Sequence, residues 1–187
     1  MIQTRLGNLS DIFGVLKLQE LNLYKNLSEE ELKGGFVTTP FTAKQIEEII
    51  EQQGLYVCVN EQENVIAYVF AGSWAYFSQW EIFNIMTSRF HNISFNNVQI
   101  TTNNSFQYGP ICIQKDYRGQ GIINSIFETM RLFFVDKYPL SITFINNLNV
   151  ISKRAHTHKL GWQVIDTFEF NNKTYIALAF DMTKNVL

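Results

Sequence analysis

The sequence predicts an α/β fold carried by one domain spanning residues 1–187. Two observations lead there. Short apolar runs of strand character alternate with capped, periodic helical segments along most of the chain. A chain of 187 residues, 46% of them hydrophobic, can also bury one substantial core.

Residues 1–5 read as a first strand. Asn8 or Ser10 then caps a helix whose apolar positions Ile12, Val15, Leu16, Leu18 and Leu23 recur at near-helical intervals. Ser28, followed by Glu29, Glu30 and Glu31, starts a short helix that Gly34 and Gly35 stop. Thr42 and Gln45 form a capping box for the next helix, with Ile46, Ile49 and Ile50 as its buried stripe and Gly54 at its end. Residues 55–59 and 65–71 follow as a hairpin across a polar turn.

Residues 72–104 are the least regular stretch, rich in aromatics such as Trp74, Trp80, Phe83 and Phe90, with a helix expected over 77–89. An excursion of that length reads as a lid, a pocket wall, a contact surface or added core. A second half follows: strand 106–113, helix 122–137 and strand 141–145, with Pro139 separating the last two. A short basic helix over 152–160 ends at Gly161. Strands 162–168 and 175–180 close the chain as a hairpin around Asn171 and Asn172.

The junction at Lys115-Asp116-Tyr117-Arg118-Gly119-Gln120-Gly121-Ile122 carries the most chemistry. Its two glycines permit a tight turn and a close backbone approach. The free N–H groups of the helix start then form an anion site, and Arg118 adds a positive fork suited to phosphate. Asn124 stands where a dinucleotide fingerprint needs a third glycine, and no lysine follows Gly121 as a P-loop requires. A pyrophosphate held by backbone amides is the expected ligand.

Charge and composition narrow the partners. A net charge of -2 argues against nucleic acid or a membrane surface. The two cysteines, Cys58 and Cys112, lie in apolar strand candidates and read as buried free thiols, and no metal site assembles from them and three scattered histidines. With no signal-length or spanning apolar run, a cytoplasmic protein is expected.

The order of elements and the turn Tyr117-Arg118-Gly119-Gln120-Gly121-Ile122 resemble the GCN5-related N-acetyltransferase (GNAT) superfamily across nearly the whole chain. The resemblance implies a mixed, mostly antiparallel central sheet with splayed fourth and fifth strands and flanking helices. It implies acetyl-CoA as co-substrate, its pyrophosphate on the turn that runs from Arg118 through Gly119, Gln120, Gly121 and Ile122 to Ile123. Ile123 stands where the family usually has glycine or alanine. The pantetheine arm would pair with backbone groups of Ile111, Cys112 and Ile113 as a substitute strand, beside Asn149 and Ser152. A helix ending in Lys159-Leu160-Gly161-Trp162 matches a second family signature, one residue longer than usual when counted from Asn149. The family's tyrosine acid, four residues before that glycine, is replaced here by Thr157, flanked by His156 and His158.

Direct transfer of an acetyl group from acetyl-CoA to a primary amine in a ternary complex needs a proton acceptor for the amine, a donor for the thioester oxygen and, optionally, an acid for the thiolate. His156 is the first candidate acid or base, against a reading as a capping histidine near a helix end. Tyr108 is the second, against a packed aromatic. Cys112 is read as an arm-lining residue, because direct transfer needs no nucleophile. Glu20, Glu30 and Glu31 can attract a cationic amine or simply face solvent. The acceptor is expected to be a small-molecule amine or a protein amino group. A non-catalytic acyl-CoA-binding module of the same fold is the alternative, and a homodimer built on the aromatic excursion stays open.

Overall fold

The structure, a computed structural model, describes residues 2–187. In chain order it comprises β1 (Gln3–Leu6), α1 (Ile12–Glu20), α2 (Glu29–Leu32), α3 (Ala43–Glu51), β2 (Leu55–Val59), β3 (Val65–Gly72), α4 (Trp74–Phe77) and α5 (Glu81–Ser88). There follow β4 (Ser94–Phe95), β5 (Val98–Gln99), β6 (Ser105–Ile113), α6 (Ile122–Phe134), β7 (Leu140–Asn146), α7 (Val150–Arg154), β8 (Gln163–Phe170) and β9 (Lys173–Asp181). Seven strands form one sheet in the order β1-β2-β3-β6-β7-β9-β8. Its neighbours are antiparallel except β6 and β7, which run parallel.

Both faces of the sheet are covered, which explains why β2 is apolar at every position and buried throughout. Side chains alternate: Leu55, Val57 and Val59 join one core with Val15, Leu18, Ile46 and Ile49, whereas Tyr56 and Cys58 join another with Ile126, Phe127 and Met130. Thus α1 and α3 lie on one face and α6 on the other. Local signals set the helix starts. In α3, Thr42 Oγ1 accepts from the Gln45 amide at 3.3 Å while Gln45 Oε1 accepts from the Thr42 amide at 2.9 Å. Helix α6 has no such side-chain cap; it begins on Gly121 in the left-handed region, with φ +79°.

Four expectations shift. Leu23 lies beyond α1, which ends at Glu20; it instead makes an isolated parallel bridge to Val37. The helix expected over 77–89 is two helices, α4 and α5, because Trp80 adopts an extended conformation and packs on Phe41 with ring centroids 4.8 Å apart. Helix α6 stops at Phe134, short of residue 137. The β4–β5 hairpin was unforeseen; Asn96 and Asn97 turn it with φ of 50° and 62°. Most aromatics of the excursion are core: Phe77, Phe83, Phe90 and Phe95 join the same cluster as α1 and α3. No helix among the described residues is long and apolar enough to cross a membrane.

Candidate active site

Helix α6 presents its first turn bare. The amides of Tyr117 and Arg118 close a short 3-10 turn onto the carbonyls of Gln114 and Lys115, at 3.0 and 3.2 Å. The next five amides, Gly119 to Ile123, have no protein acceptor among the described residues. Gly119 and Gly121 both hold φ near +80°, and a Cβ on either would meet nothing within 4 Å. Backbone conformation, not crowding, therefore requires glycine here, and the space above the turn is open. Ile122 and Ile123 are buried, and their side chains also wall the cavity over the turn. Gln120 is exposed and only closes the loop, donating to the Asp116 carbonyl at 3.1 Å.

Arg118 differs from expectation. Its guanidinium donates to the Ile113 carbonyl at 2.9 Å, to Asn22 Oδ1 at 3.0 Å and to the Gly34 carbonyl. It works as a clasp between the turn and the segments around Asn22 and Gly34, not as a free fork. All three acceptors are uncharged, so its positive charge still favours an anion nearby.

The strands beyond the turn part company. Pairing of β6 with β7 covers only Ser105, Phe106 and Gln107, opposite Leu140, Ser141 and Ile142. At Gly109, with φ +98°, β6 swings away. Ile111, Cys112 and Ile113 pair with Val69, Tyr68 and Ala67 of β3, which leaves their β7-facing edge without a strand. Such an edge is an open ladder for amide groups. Cys112 is buried with its thiol pushed up to about 12 by desolvation, so it stays protonated and un-nucleophilic.

Across the gap, Asn149 caps α7 by accepting from the Ser152 amide at 3.3 Å, and its Nδ2 donates to the Phe36 carbonyl at 2.8 Å. Both ends of this amide are thus engaged in holding the turn and the Phe36 segment. The helix expected over 152–160 is α7 followed by a π turn, Ala155–Lys159, closed by Leu160 N–H on the Ala155 carbonyl at 3.3 Å. The turn absorbs the one extra residue between Asn149 and Gly161. Such bulges are frequent at functional sites.

His156 sits in that π turn and is 2% exposed. Its Nδ1 contacts the Ser152 carbonyl oxygen at 2.8 Å, and a carbonyl can only accept, so Nδ1 carries the proton. Nε2 is then a bare lone pair, buried and without a protein partner among the described residues. Desolvation lowers the imidazole to about 4, which keeps it neutral. Tyr108 and Trp162 hold the ring edge-on, with centroids at 5.6 and 5.8 Å. Tyr108 itself is fully buried, its hydroxyl lacks a partner among the described residues, and burial raises its pKa.

Two cavities meet at His156. One runs from the Gly119–Ile123 turn past Ile111 and Ser152 to His156. The other continues from His156 past Tyr108, Gln107, Thr143 and Phe144. Phe36 and Val37, pinned by the bridge to Leu23, border both. Charge is one-sided: Arg118 and Lys159 line the first cavity and, among the described residues, no carboxylate lines either. Glu20, Glu30 and Glu31 lie outside this cleft; Glu20 meets Asn26, Glu30 meets Lys33, and Glu31 caps α2. His158 is exposed beside Thr157, and His91 is tied to the Ser88 carbonyl, away from the cleft. Sequence reasoning missed Gln107 and the Phe36–Val37 segment. A glutamine inside an otherwise apolar buried strand was the available signal for the first.

No protein-family model matches this chain, and no curated protein matches its sequence. Solved structures do match its shape. A polyamine N-acetyltransferase of Drosophila melanogaster superposes at TM-score 0.66 with 13% identity, over 97% of this chain and 100% of that one. An N-acetyltransferase from Staphylococcus aureus Mu50 gives 0.64 at 14% identity, covering 97% and 99%. A GNAT-family acetyltransferase from Streptococcus agalactiae gives 0.63 at 16% identity, covering 96% and 95%. The chain has the GNAT fold, with its mixed, mostly antiparallel sheet and flanking helices.

Proposed function

We propose that this protein is an acetyl-CoA-dependent N-acetyltransferase that moves the acetyl group directly to a primary amine. The carrying observation is a single cleft with five unpaired amides at one end and the lone pair of a neutral, buried histidine at its centre. The amides of Gly119 to Ile123, at the positive end of α6, suit a pyrophosphate. The open edge of Ile111 to Ile113 suits the two amides of a pantetheine arm. A thioester laid along that path supplies an activated acyl carbon and a good leaving group.

Residue roles follow from the hydrogen bonds. His156 Nε2 can accept a proton but not give one in its resting state, so it serves as base toward the attacking amine. As the C–N bond forms, the C–S bond breaks with its electron pair on sulfur. The proton taken by Nε2 then passes to that thiolate, which restores the neutral imidazole. Tyr108 lies beside the imidazole and offers a hydroxyl for holding the ring environment polar near the amine. Neither Cys112, held protonated, nor any carboxylate is called upon.

Thiol release from acetyl-CoA in the presence of a panel of primary amines tests this reading. Amine-dependent release is expected. Tight CoA binding with no release for any amine would instead identify a non-catalytic acyl-CoA-binding module.

A further inference from the structure

The acceptor end of the cleft is chemically specific. Of the buried polar atoms that have no partner among the described residues, four belong to residues that line this cavity: Gln107 Oε1, Tyr108 Oη, His156 Nε2 and the donor Asn146 Nδ2. Their orientation is fixed by the backbone. Gln107 Nε2 donates to the Tyr108 carbonyl at 2.6 Å, which turns its Oε1 away, and the Ser152 carbonyl fixes the histidine tautomer. Buried polar atoms left open in this way call for a ligand that satisfies them. An amino group brings N–H donors for the acceptors and, when neutral, a lone pair for the Asn146 amide.

The remaining wall carries no charge. Phe83 and Phe144 pack at a tilt with ring centroids 5.1 Å apart, and Phe36, Val37, Thr39 and Thr143 also line the cavity. Among the described residues, no Asp, Glu, Lys or Arg lines this cavity. A second ammonium placed here would lose its water without gaining a counter-ion, a heavily penalised state. Aromatic walls reward a flat apolar body instead.

Building on the acetyl-transfer reading, we infer that the acceptor is a small monoamine whose body is uncharged and aromatic, and that diamines and polyamines are discriminated against. The amino group sits at Gln107 and His156, and the ring lies against Phe83 and Phe144. Thr39, on the partly exposed loop over the cavity, is the position at which a carboxylate would relax this selectivity.

The test compares kcat/KM for 2-phenylethylamine, 1,4-diaminobutane, spermidine and a short peptide with a free N-terminus, using acetyl-CoA and the full chain. The expected result is a preference for 2-phenylethylamine of at least about tenfold over each of the others, a margin one pocket can supply. Thr39→Asp should narrow the gap to 1,4-diaminobutane by about fivefold or more, while leaving CoA affinity unchanged. Equal or better turnover of the diamine, spermidine or peptide overturns this inference and leaves acetyl transfer intact. CoA binding without turnover of any amine overturns the acetyl-transfer reading, and this inference with it.

Discussion

His156 Nδ1 donates to the carbonyl oxygen of Ser152, four residues earlier, at 2.8 Å, and that one bond decides which face of the imidazole meets the cleft. With the proton held on Nδ1, Nε2 is committed to accepting. The ring is also clamped by Tyr108 and Trp162, so it cannot easily turn.

Removing the imidazole while keeping a ring isolates its chemistry. His156→Phe should lower kcat by about 100-fold, within the range for loss of a positioned base. Its Kd for CoA should stay within about twofold of wild type, because the pyrophosphate turn is untouched. Steady-state kinetics and calorimetry read the two separately; an unchanged kcat would exclude His156 as the base.

The same residue makes stability pH-dependent. Burial lowers its pKa to about 4 in the folded chain, against about 6.5 when unfolded. Below pH 6.5 the unfolded chain therefore binds a proton that the folded chain refuses. Stability present at pH 7 is lost as pH falls towards 4, by up to about 3 kcal/mol. Urea unfolding at pH 7.5 and 4.5 should show a larger acid loss for wild type than for His156→Phe. Equal losses would mean the imidazole is not held neutral.

At the turn, Gly121→Ala would place a side chain at φ +79° with nothing nearby to clash. The cost is backbone strain of about 1 kcal/mol. If the bare amides hold a pyrophosphate, relaxing that strain tilts them, and Kd for CoA should rise by about fivefold or more. Thermal unfolding measures the strain and calorimetry the affinity; an unaltered Kd would detach the turn from cofactor binding.

A control lies far from the cleft. Arg131 pairs with Glu128 at 2.7 Å and donates to the Met182 carbonyl at 2.6 Å, while the Val186 amide donates to Glu128. Arg131→Ala leaves a buried carboxylate without its cation and should cost about 3 kcal/mol in denaturant unfolding. Catalytic constants of the folded fraction should not change; if kcat fell with stability, this anchor would be linked to the site.

Much of the fold was readable because its signals are local. The capping boxes at Ser28 and Thr42, the periodic apolar positions of α6 and the glycine turn all depend on neighbours in sequence. Misreadings came where distant contacts overruled local pattern. Trp80 broke a helical period to reach Phe41, and Leu23 left α1 to bridge Val37. Arg118 looked like a phosphate fork because sequence shows its charge but not the Gly34 and Asn22 acceptors that claim it. At the site, His156 stood out as a residue type, yet its tautomer comes from a π turn that spacing alone only hinted at, through one extra residue before Gly161. Gln107 carried a signal as a polar residue in a mostly apolar strand, but its place on a cavity wall depends on Phe36 and Phe83, which are distant in sequence.

Whether the bare turn grips a pyrophosphate is most directly measured by calorimetric titration with CoA and, in parallel, with pantetheine, which shares the arm and thiol but lacks the diphosphate and nucleotide. The account predicts saturable CoA binding and pantetheine binding weaker by about 100-fold or more. Equal affinities for the two, or no CoA binding at all, would contradict it.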